Sequence, residues 1–235
     1  RDRVELKKAQ EILFDSLQDI RQKIDKDVTI LIEYKVFEPG TYSTVLSDWG
    51  SAYMAAMKMG DNAGVLVDLG HHHHGTNIEQ IVARLICSGM KCGFHFNTRY
   101  AADDDHAVEP NGEIARIFYE LVTGDVIFNQ NSQKNWAFMI DQCSSRENRI
   151  HAILHTVDSL QIALARASLV DPARLEEFQK NDEIILANRF FNNAILNADV
   201  RPILFAVRQE KNLPFDPVMA YVESGYQQQI EKERF

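Results

Sequence analysis

The sequence has few cysteines, no long apolar run and no excess of basic residues. No apolar stretch reaches the roughly 20 residues that a membrane-spanning helix needs, and no basic segment followed by an apolar one marks a secretory signal. Acidic residues outnumber basic ones by 34 to 25, which gives a formal net charge of -9. This balance argues against a nucleic-acid partner, because lysine and arginine must neutralise phosphates. We therefore expect a cytoplasmic globular protein with neither nucleic-acid nor membrane partners.

The cysteines do not predict a framework of disulfide bonds. There are 3 of them, Cys87, Cys92 and Cys143, at irregular spacing. An odd, scattered set is typical of small buried side chains in a reducing compartment rather than of disulfides or a thiolate metal site. With 45% hydrophobic residues in 235, the chain is long enough for one domain with a substantial core.

Short apolar runs alternate with helix-length segments. The runs, which predict buried parallel strands, are Val28–Tyr34, Gly64–Leu69, Gly93–Asn97 and Ala137–Asp141. The helical segments are Val4–Ile24, Thr44–Met59, Asn77–Ser88, Glu113–Val122 and Arg149–Ala167. This alternation indicates βα units in an α/β fold. Four strands suit either an open sheet or part of a barrel, since a closed parallel barrel needs eight.

Beyond residue 170 the strand pattern stops. Residues 173–197 predict one helix, and residues 214–229 predict shorter helical pieces. We therefore expect two regions, 1–170 with the sheet and the functional site, and 171–235 as a helical extension that contacts another subunit.

Each predicted strand carries a potential metal ligand at its end: Glu33, Asp68, His95 and Asp141. Parallel βα architecture brings the carboxyl ends of all strands to one face, where the active sites of such folds lie. A single acid at a strand end is most often a helix cap. Four such ends in succession are harder to explain as caps, because clustered buried carboxylates repel one another and need a compensating charge. The pattern therefore predicts a metal site.

Further potential ligands follow the second and third strands. His71 opens the run His71–His74, of which at most two side chains are expected to point inward. Asp103 and Asp105 follow the third strand and point the same way if their loop is extended; taken alone, this acidic run is typical of a solvated loop. Five carboxylates and two imidazoles in all favour two divalent ions, chosen among Mn²⁺, Mg²⁺, Co²⁺ and Zn²⁺.

Several short motifs become distinctive when taken together. They are Glu33-Tyr34-Lys35, Phe37-Glu38-Pro39, Ser47-Asp48-Trp49-Gly50, Val67-Asp68-Leu69-Gly70-His71-His72, Asn77-Ile78-Glu79, Gly93-Phe94-His95-Phe96-Asn97, Asp103-Asp104-Asp105 and Met139-Ile140-Asp141-Gln142. The combination resembles the L-rhamnose isomerase family, and more closely its bacterial branch with broad aldose specificity. The resemblance is close over residues 1–170 and looser over the tail.

The resemblance implies a (β/α)8 TIM barrel of the xylose isomerase type. This chain would supply about the last four βα units plus a C-terminal helical extension, and an N-terminal half-barrel would precede Arg1. The family also implies a homotetramer and two divalent ions, with Mn²⁺ as the first choice. It assigns one ligand set to a structural ion and another to a catalytic ion: Glu33, Asp68, His95 and Asp141 to the first, and His71, Asp103 and Asp105, with Asp68 bridging, to the second.

The resemblance further implies an aldose–ketose isomerase that interconverts L-rhamnose and L-rhamnulose, and other aldoses such as D-allose. The expected mechanism is a metal-assisted hydride shift between C1 and C2, with an enediol route as its competitor. Lys35, His71 and Asp105 are the predicted catalytic residues. Two alternatives stay open: a metal-dependent phosphodiester hydrolase of the endonuclease IV type on the same barrel, and a non-catalytic half-barrel that binds metal or a partner chain.

Overall fold

A parallel β-sheet forms the centre of the fold. The computed structural model describes residues 5–37, 44–98, 105–142 and 144–234. Its four strands stand in sequence order across one sheet. They are β1 (Ile30–Glu33), β2 (Ala63–Asp68), β3 (Lys91–Phe96) and β4 (Trp136–Ile140). Neighbouring strands are parallel at every step, so the predicted α/β fold is confirmed. Within the described ranges β1 and β4 are the edge strands, and closure into an eight-stranded barrel stays a prediction.

Helices connect the strands and continue beyond them. In the described residues they are α1 (Leu6–Lys23), α2 (Trp49–Met59), α3 (Ile78–Cys87), α4 (Gly112–Thr123), α5 (Gln130–Gln133), α6 (Arg149–Ser168), α7 (Pro172–Lys180), α8 (Ile184–Asn192), α9 (Arg201–Glu210), α10 (Pro217–Glu223) and α11 (Tyr226–Arg234). A π-helical turn, Asn193–Asn197, extends α8. Over the part of the chain that the structure describes, no helix is both long and apolar enough to cross a bilayer.

Polar caps explain where the helices between strands begin. The Asp48 side chain accepts a hydrogen bond from the Ser51 N–H, while the Ser51 hydroxyl closes a reciprocal capping box at the start of α2. The side chains of Asn77 and Asn111 cap α3 and α4 by accepting from the N–H groups of Gln80 and Ile114, without a reciprocal bond. Each cap satisfies a backbone N–H that has no partner inside the helix. The predicted helical segment Asn77–Ser88 thus begins at the residue that caps α3.

The single helix predicted over residues 173–197 is wrong. The chain instead forms α7 and α8, separated by a turn in which Asp182 has a left-handed φ of +57°. Asparagine and aspartate tolerate this conformation better than most residues, and their side chains compete with helical hydrogen bonds. The adjacent pair Asn181 and Asp182 therefore interrupts an otherwise helical pattern.

The cysteines occupy different environments. Cys92 is buried, as expected, and its burial raises the pKa of the thiol to about 12. Cys87 is exposed, which corrects the expectation that it is buried, because it is the last residue of α3. Cys143 lies outside the described residues.

The chain divides into two compact units. Unit 1 comprises Arg1–Asp105 and Val126–Asp141, and unit 2 comprises His106–Asp125 and Gln142–Phe235. Unit 1 holds the sheet, whereas the described elements of unit 2 are helices, among which α4 packs on α6. Within unit 2, α6 packs on α4 and on the later helices α9 and α10. The division into regions 1–170 and 171–235 stays a prediction.

Inside unit 1, one face of the sheet carries a closely packed apolar layer. A Cβ atom built on Gly93 would lie 2.5 Å from Leu31 Cδ1, 3.1 Å from Leu66 Cδ1 and 3.3 Å from Met139 Cε. One residue from each strand therefore contributes to this layer, and a side chain at position 93 would require Leu31 to move. The opposite face carries stacked rings, with the Phe94 and Phe96 centroids 5.0 Å apart. Each strand thus has an apolar layer directly below its carboxyl end.

Gly64 permits the close approach of β2 and β3, because it has no side chain. A Cβ atom at this position would lie 2.0 Å from the Lys91 carbonyl oxygen, a backbone atom of the paired strand. We expect Gly64→Ala to lower the free energy of unfolding by about 3 kcal/mol, at the upper end of the cost of overpacking, because the strands must separate. Urea denaturation followed by circular dichroism measures this.

Gly89→Ala is the control. Its φ of +68° disfavours alanine, but no atom lies within 4 Å of the added Cβ, so only about 1–2 kcal/mol should be lost. Equal effects of the two substitutions would contradict the close approach of β2 and β3.

Candidate metal centre

Four chemically related side chains project from the carboxyl ends of the four strands. Glu33 and Asp68 end β1 and β2, His95 is the penultimate residue of β3, and Asp141 follows β4. Each lies two residues beyond a member of the apolar layer, so each side chain leaves the sheet on the same face. The sequence therefore folds a polar layer on top of an apolar one.

These four side chains converge on one point. Each offers one ligand atom, and all four atoms lie within 4.8 Å of one another. His95 Nδ1 lies at the centre of the group, 3.0 Å from Glu33 Oε1, 3.4 Å from Asp68 Oδ2 and 3.3 Å from Asp141 Oδ2. Among the described residues this is the one such cluster of histidine, cysteine and acidic groups. The structure brings together the four predicted ligands of one ion.

Burial within the cluster is graded. The Asp68 side chain is 0% exposed, whereas the side chains of Glu33 and Asp141 are 37% and 48% exposed. Burial raises the pKa of the Asp68 carboxyl above its ordinary value; His71 and the Asn97 amide act in the opposite direction, and Glu33 adds to the rise. Burial therefore disfavours the charged form of Asp68, and a cation bound beside this carboxylate would offset that cost.

The donor set fits a divalent cation. Three carboxylates around one imidazole are mutually repulsive when ionised, and one of them is wholly buried. A positive ion at their common centre would remove both the repulsion and the cost of the buried charge. Carboxylate oxygens with one imidazole nitrogen suit Mn²⁺, Mg²⁺, Co²⁺ and Zn²⁺. The cluster thus has the chemistry of a metal centre.

His71 lies beside the cluster with its tautomer defined. Its Nδ1 is 2.9 Å from the backbone carbonyl oxygen of Tyr34, which only accepts, so Nδ1 donates and carries the ring proton. This leaves Nε2, 3.9 Å from Asp68 Oδ1, as the nitrogen able to bind a cation. His71 and His72 are buried while His73 and His74 are exposed, so the prediction that at most two of the four histidines point inward is confirmed.

A hydrogen bond between two buried side chains, those of Tyr34 and His72, stabilises this arrangement. The Tyr34 hydroxyl lies 2.9 Å from His72 Nε2 in a buried position. Burial, followed by the negative charge of Asp68, raises the pKa of Tyr34 well above its ordinary value. The phenol therefore stays protonated and donates to His72, which holds the loop that carries His71.

Lys35 and the cluster share one pocket. A cavity of 480 Å³ is lined by residues that include Glu33, Lys35, His71 and Asp141. Its walls thus combine one cationic side chain with three candidate metal ligands, all from unit 1. Such a cavity can receive a small polar molecule next to the ion.

The remaining predicted ligands are only partly described. Asp103 lies outside the described residues, and Asp105 is half-buried with a left-handed φ of +49°. A second metal ion held by His71, Asp103 and Asp105 therefore stays a prediction.

Sequence reasoning missed the residues that support Asp68. The Asn97 amide donates to Asp68 Oδ1 and Oδ2 at 3.1 and 3.3 Å, and the Gly70 N–H donates to Oδ1 at 2.8 Å. Asn97 is 1% exposed. A Cβ atom on Gly70 would lie 3.1 Å from Asn97 Oδ1. A polar residue two positions after His95, on the same side of the strand, was the available signal.

Removal of the Asn97 amide tests its support of Asp68. We expect Asn97→Ala to weaken divalent-metal binding about 10- to 100-fold, because Asp68 loses the donor that orients it. Isothermal titration with Mn²⁺ measures this. Asn62→Ala is the control, since the Asn62 side chain bonds Lys26 and Lys91 at the other end of the strands. Unchanged affinity in Asn97→Ala, or an equal loss in both variants, would contradict the assignment.

Comparison with known proteins identifies the family. Residues 2–194 match the L-rhamnose isomerase family. A probable sugar isomerase of Mesorhizobium japonicum is 35% identical over 234 residues, which cover 98% of this chain and 54% of that protein. A probable sugar isomerase of Rhizobium meliloti is 35% identical over 230 residues, 97% of this chain and 53% of that protein. The chain spans about half the length of both relatives. Since the family match covers most of the chain and includes all four residues of the metal cluster, this chain belongs to the L-rhamnose isomerase family.

Proposed function

We propose that this chain is the metal-binding part of an aldose–ketose isomerase that interconverts L-rhamnose and L-rhamnulose, and other aldoses such as D-allose. The observation that carries the proposal is the convergence of Glu33, Asp68, His95 and Asp141 on one point. Membership of a sugar isomerase family supports the reaction class over phosphodiester hydrolysis.

Two divalent ions would serve this reaction, with Mn²⁺ as the first candidate. The cluster of Glu33, Asp68, His95 and Asp141 would hold one ion. His71, Asp103 and Asp105 would hold the other, together with Asp68, whose carboxylate both sites would share. The position of His71 Nε2 3.9 Å from Asp68 Oδ1 supports a shared carboxylate. When bound, such ions supply Lewis acidity toward the sugar oxygens O1 and O2.

The residues of the pocket would bind and orient an open-chain sugar. The Lys35 ammonium, on the wall shared with Glu33 and His71, donates to the sugar oxygens and stabilises the negative charge that develops on them. In the direction from aldose to ketose, the carbon-bound hydrogen moves from C2 to C1. The hydroxyl proton moves from O2 to O1, and the Asp105 carboxylate assists this transfer. No redox partner is needed, because C1 is reduced as C2 is oxidised.

The fold and assembly of the whole protein form part of the proposal. Four parallel strands in sequence order are what half of an eight-stranded barrel would contain. The matched relatives have almost as much sequence again outside the aligned region. We propose that a further half-barrel completes the (β/α)8 fold, that the enzyme is a cytoplasmic homotetramer, and that the helical extension over residues 171–235 contributes to subunit contacts.

Asp68→Asn tests the metal assignment. Asp68 is the residue shared by both proposed sites, so we expect metal content, measured by mass spectrometry, to fall from two ions per chain to none. Isomerisation of L-rhamnose by the full-length protein should fall about 1,000-fold or more, because the Lewis acid is worth several kcal/mol of the activation free energy.

Asp61→Asn is the control, since Asp61 is an exposed acid one strand-length away in the same unit, and it should retain both ions and full activity. Loss of only one ion from Asp68→Asn would contradict the shared carboxylate. Hydrolysis of a DNA duplex with an abasic site would contradict the isomerase proposal and favour a phosphodiester hydrolase. Metal binding without turnover of any aldose would favour the non-catalytic alternative.

A further inference from the structure

Two chain segments leave the candidate metal centre and enter unit 2 directly. Unit 2 begins at His106, the residue after Asp105, and resumes at Gln142, the residue after Asp141. Each segment is therefore one peptide bond from a proposed metal ligand. Whatever holds these two segments inside unit 2 constrains the backbone of both ligands.

One buried hydroxyl on α6 holds both segments. Thr156 Oγ1 accepts a hydrogen bond from the Val108 N–H at 2.9 Å and donates one to Gln142 Oε1 at 2.5 Å. Thr156 and Val108 are both 0% exposed. A threonine inside a helix ordinarily bonds the carbonyl one turn earlier or points to solvent. Here the hydroxyl instead joins the segment after Asp105 to the segment after Asp141.

A carboxylate preceding the same helix adds two further attachments. Glu147 Oε1 accepts from His106 Nδ1 at 2.6 Å, and Glu147 Oε2 accepts from the Ala107 N–H at 3.1 Å. With the Thr156 bond, residues 106–108 are held at three successive positions. Asp105 itself has a left-handed φ of +49°, so the chain turns sharply just before this segment.

We propose that Thr156 and Glu147 are positioning residues of the metal centre. Thr156 fixes the backbone that leaves both Asp105 and Asp141, whereas Glu147 fixes only the backbone that leaves Asp105. Neither residue contacts an ion; each acts through the chain segment that it holds. The inference rests on the proposed function, because it takes Asp103, Asp105 and Asp141 as metal ligands.

The proposal predicts different effects on the two ions. Groups that orient metal ligands typically change affinity 10- to 100-fold when removed. Thr156→Val has nearly the same shape but lacks the hydroxyl, so it should weaken both ions by about this factor. Glu147→Gln loses the charged partner of His106 and should weaken only the ion assigned to His71, Asp103 and Asp105. Thr156→Ser, which restores the hydroxyl, should bind both ions within about threefold of the wild type.

Ser159→Ala is the matched control. Ser159 lies one turn along α6, is 1% exposed, and its hydroxyl has no hydrogen-bond partner among the described residues. The substitution therefore removes a buried hydroxyl from the same helix without removing a hydrogen bond to either segment. The affinities for both metal ions should be unchanged.

Titration of the full-length protein with Mn²⁺, with bound and free ion distinguished by electron paramagnetic resonance, measures both affinities, and circular dichroism measures folding. Wild-type affinity in folded Thr156→Val would overturn the inference, as would an equal loss in Ser159→Ala. If Thr156→Val does not fold, Glu147→Gln provides the test, and unchanged binding of both ions overturns the inference. Absence of metal binding by the wild-type protein would overturn the proposed function as well. Isomerase activity of the wild type, together with unchanged Mn²⁺ affinity in the Thr156 and Glu147 variants, would overturn the inference alone.

Discussion

The buried carboxylate of Asp68 is the constraint on which the rest of the site depends. It ends a strand whose residues are all buried, with Glu33 on one neighbouring strand and His95 on the other, and its own burial raises its pKa. The Asn97 amide and the Gly70 N–H compensate part of this cost. A hydrogen bond supplies dipoles but no net charge, so the remaining cost is best met by a cation. The cluster therefore carries a cost of burial that a bound divalent cation would offset.

The same alternation that builds the sheet also builds the site. Successive side chains of a strand point to opposite faces, so the residues two positions beyond the apolar layer of Leu31, Leu66, Gly93 and Met139 fall on the same side. The backbone pairing of the parallel strands sets their spacing. That spacing in turn brings His95 Nδ1 to within 3.4 Å of three carboxylates. The alternation of side chains along the strands therefore determines both the packing of the sheet and the position of the four candidate ligands.

Much of this arrangement could be predicted from the sequence, because strand ends and side-chain alternation are local properties. The four strands and the four converging ligands followed from apolar runs that end on Glu33, Asp68, His95 and Asp141. The carbonyl of Tyr34 could not be predicted as the partner of His71, since a backbone atom has no signature in the sequence. The break at Asp182 escaped notice because helical periodicity continues on both sides of a left-handed residue. The role of Thr156 depends on contacts between segments far apart in the chain, which periodicity does not report.

Crystals of the full-length protein grown with Mn²⁺ test the central claim most directly. The account predicts an anomalous-scattering peak bounded by one atom each of Glu33, Asp68, His95 and Asp141, at about 2.0–2.3 Å from each. A well-ordered site without such a peak, or a peak that is coordinated by other residues and leaves these four side chains unbound, would contradict it.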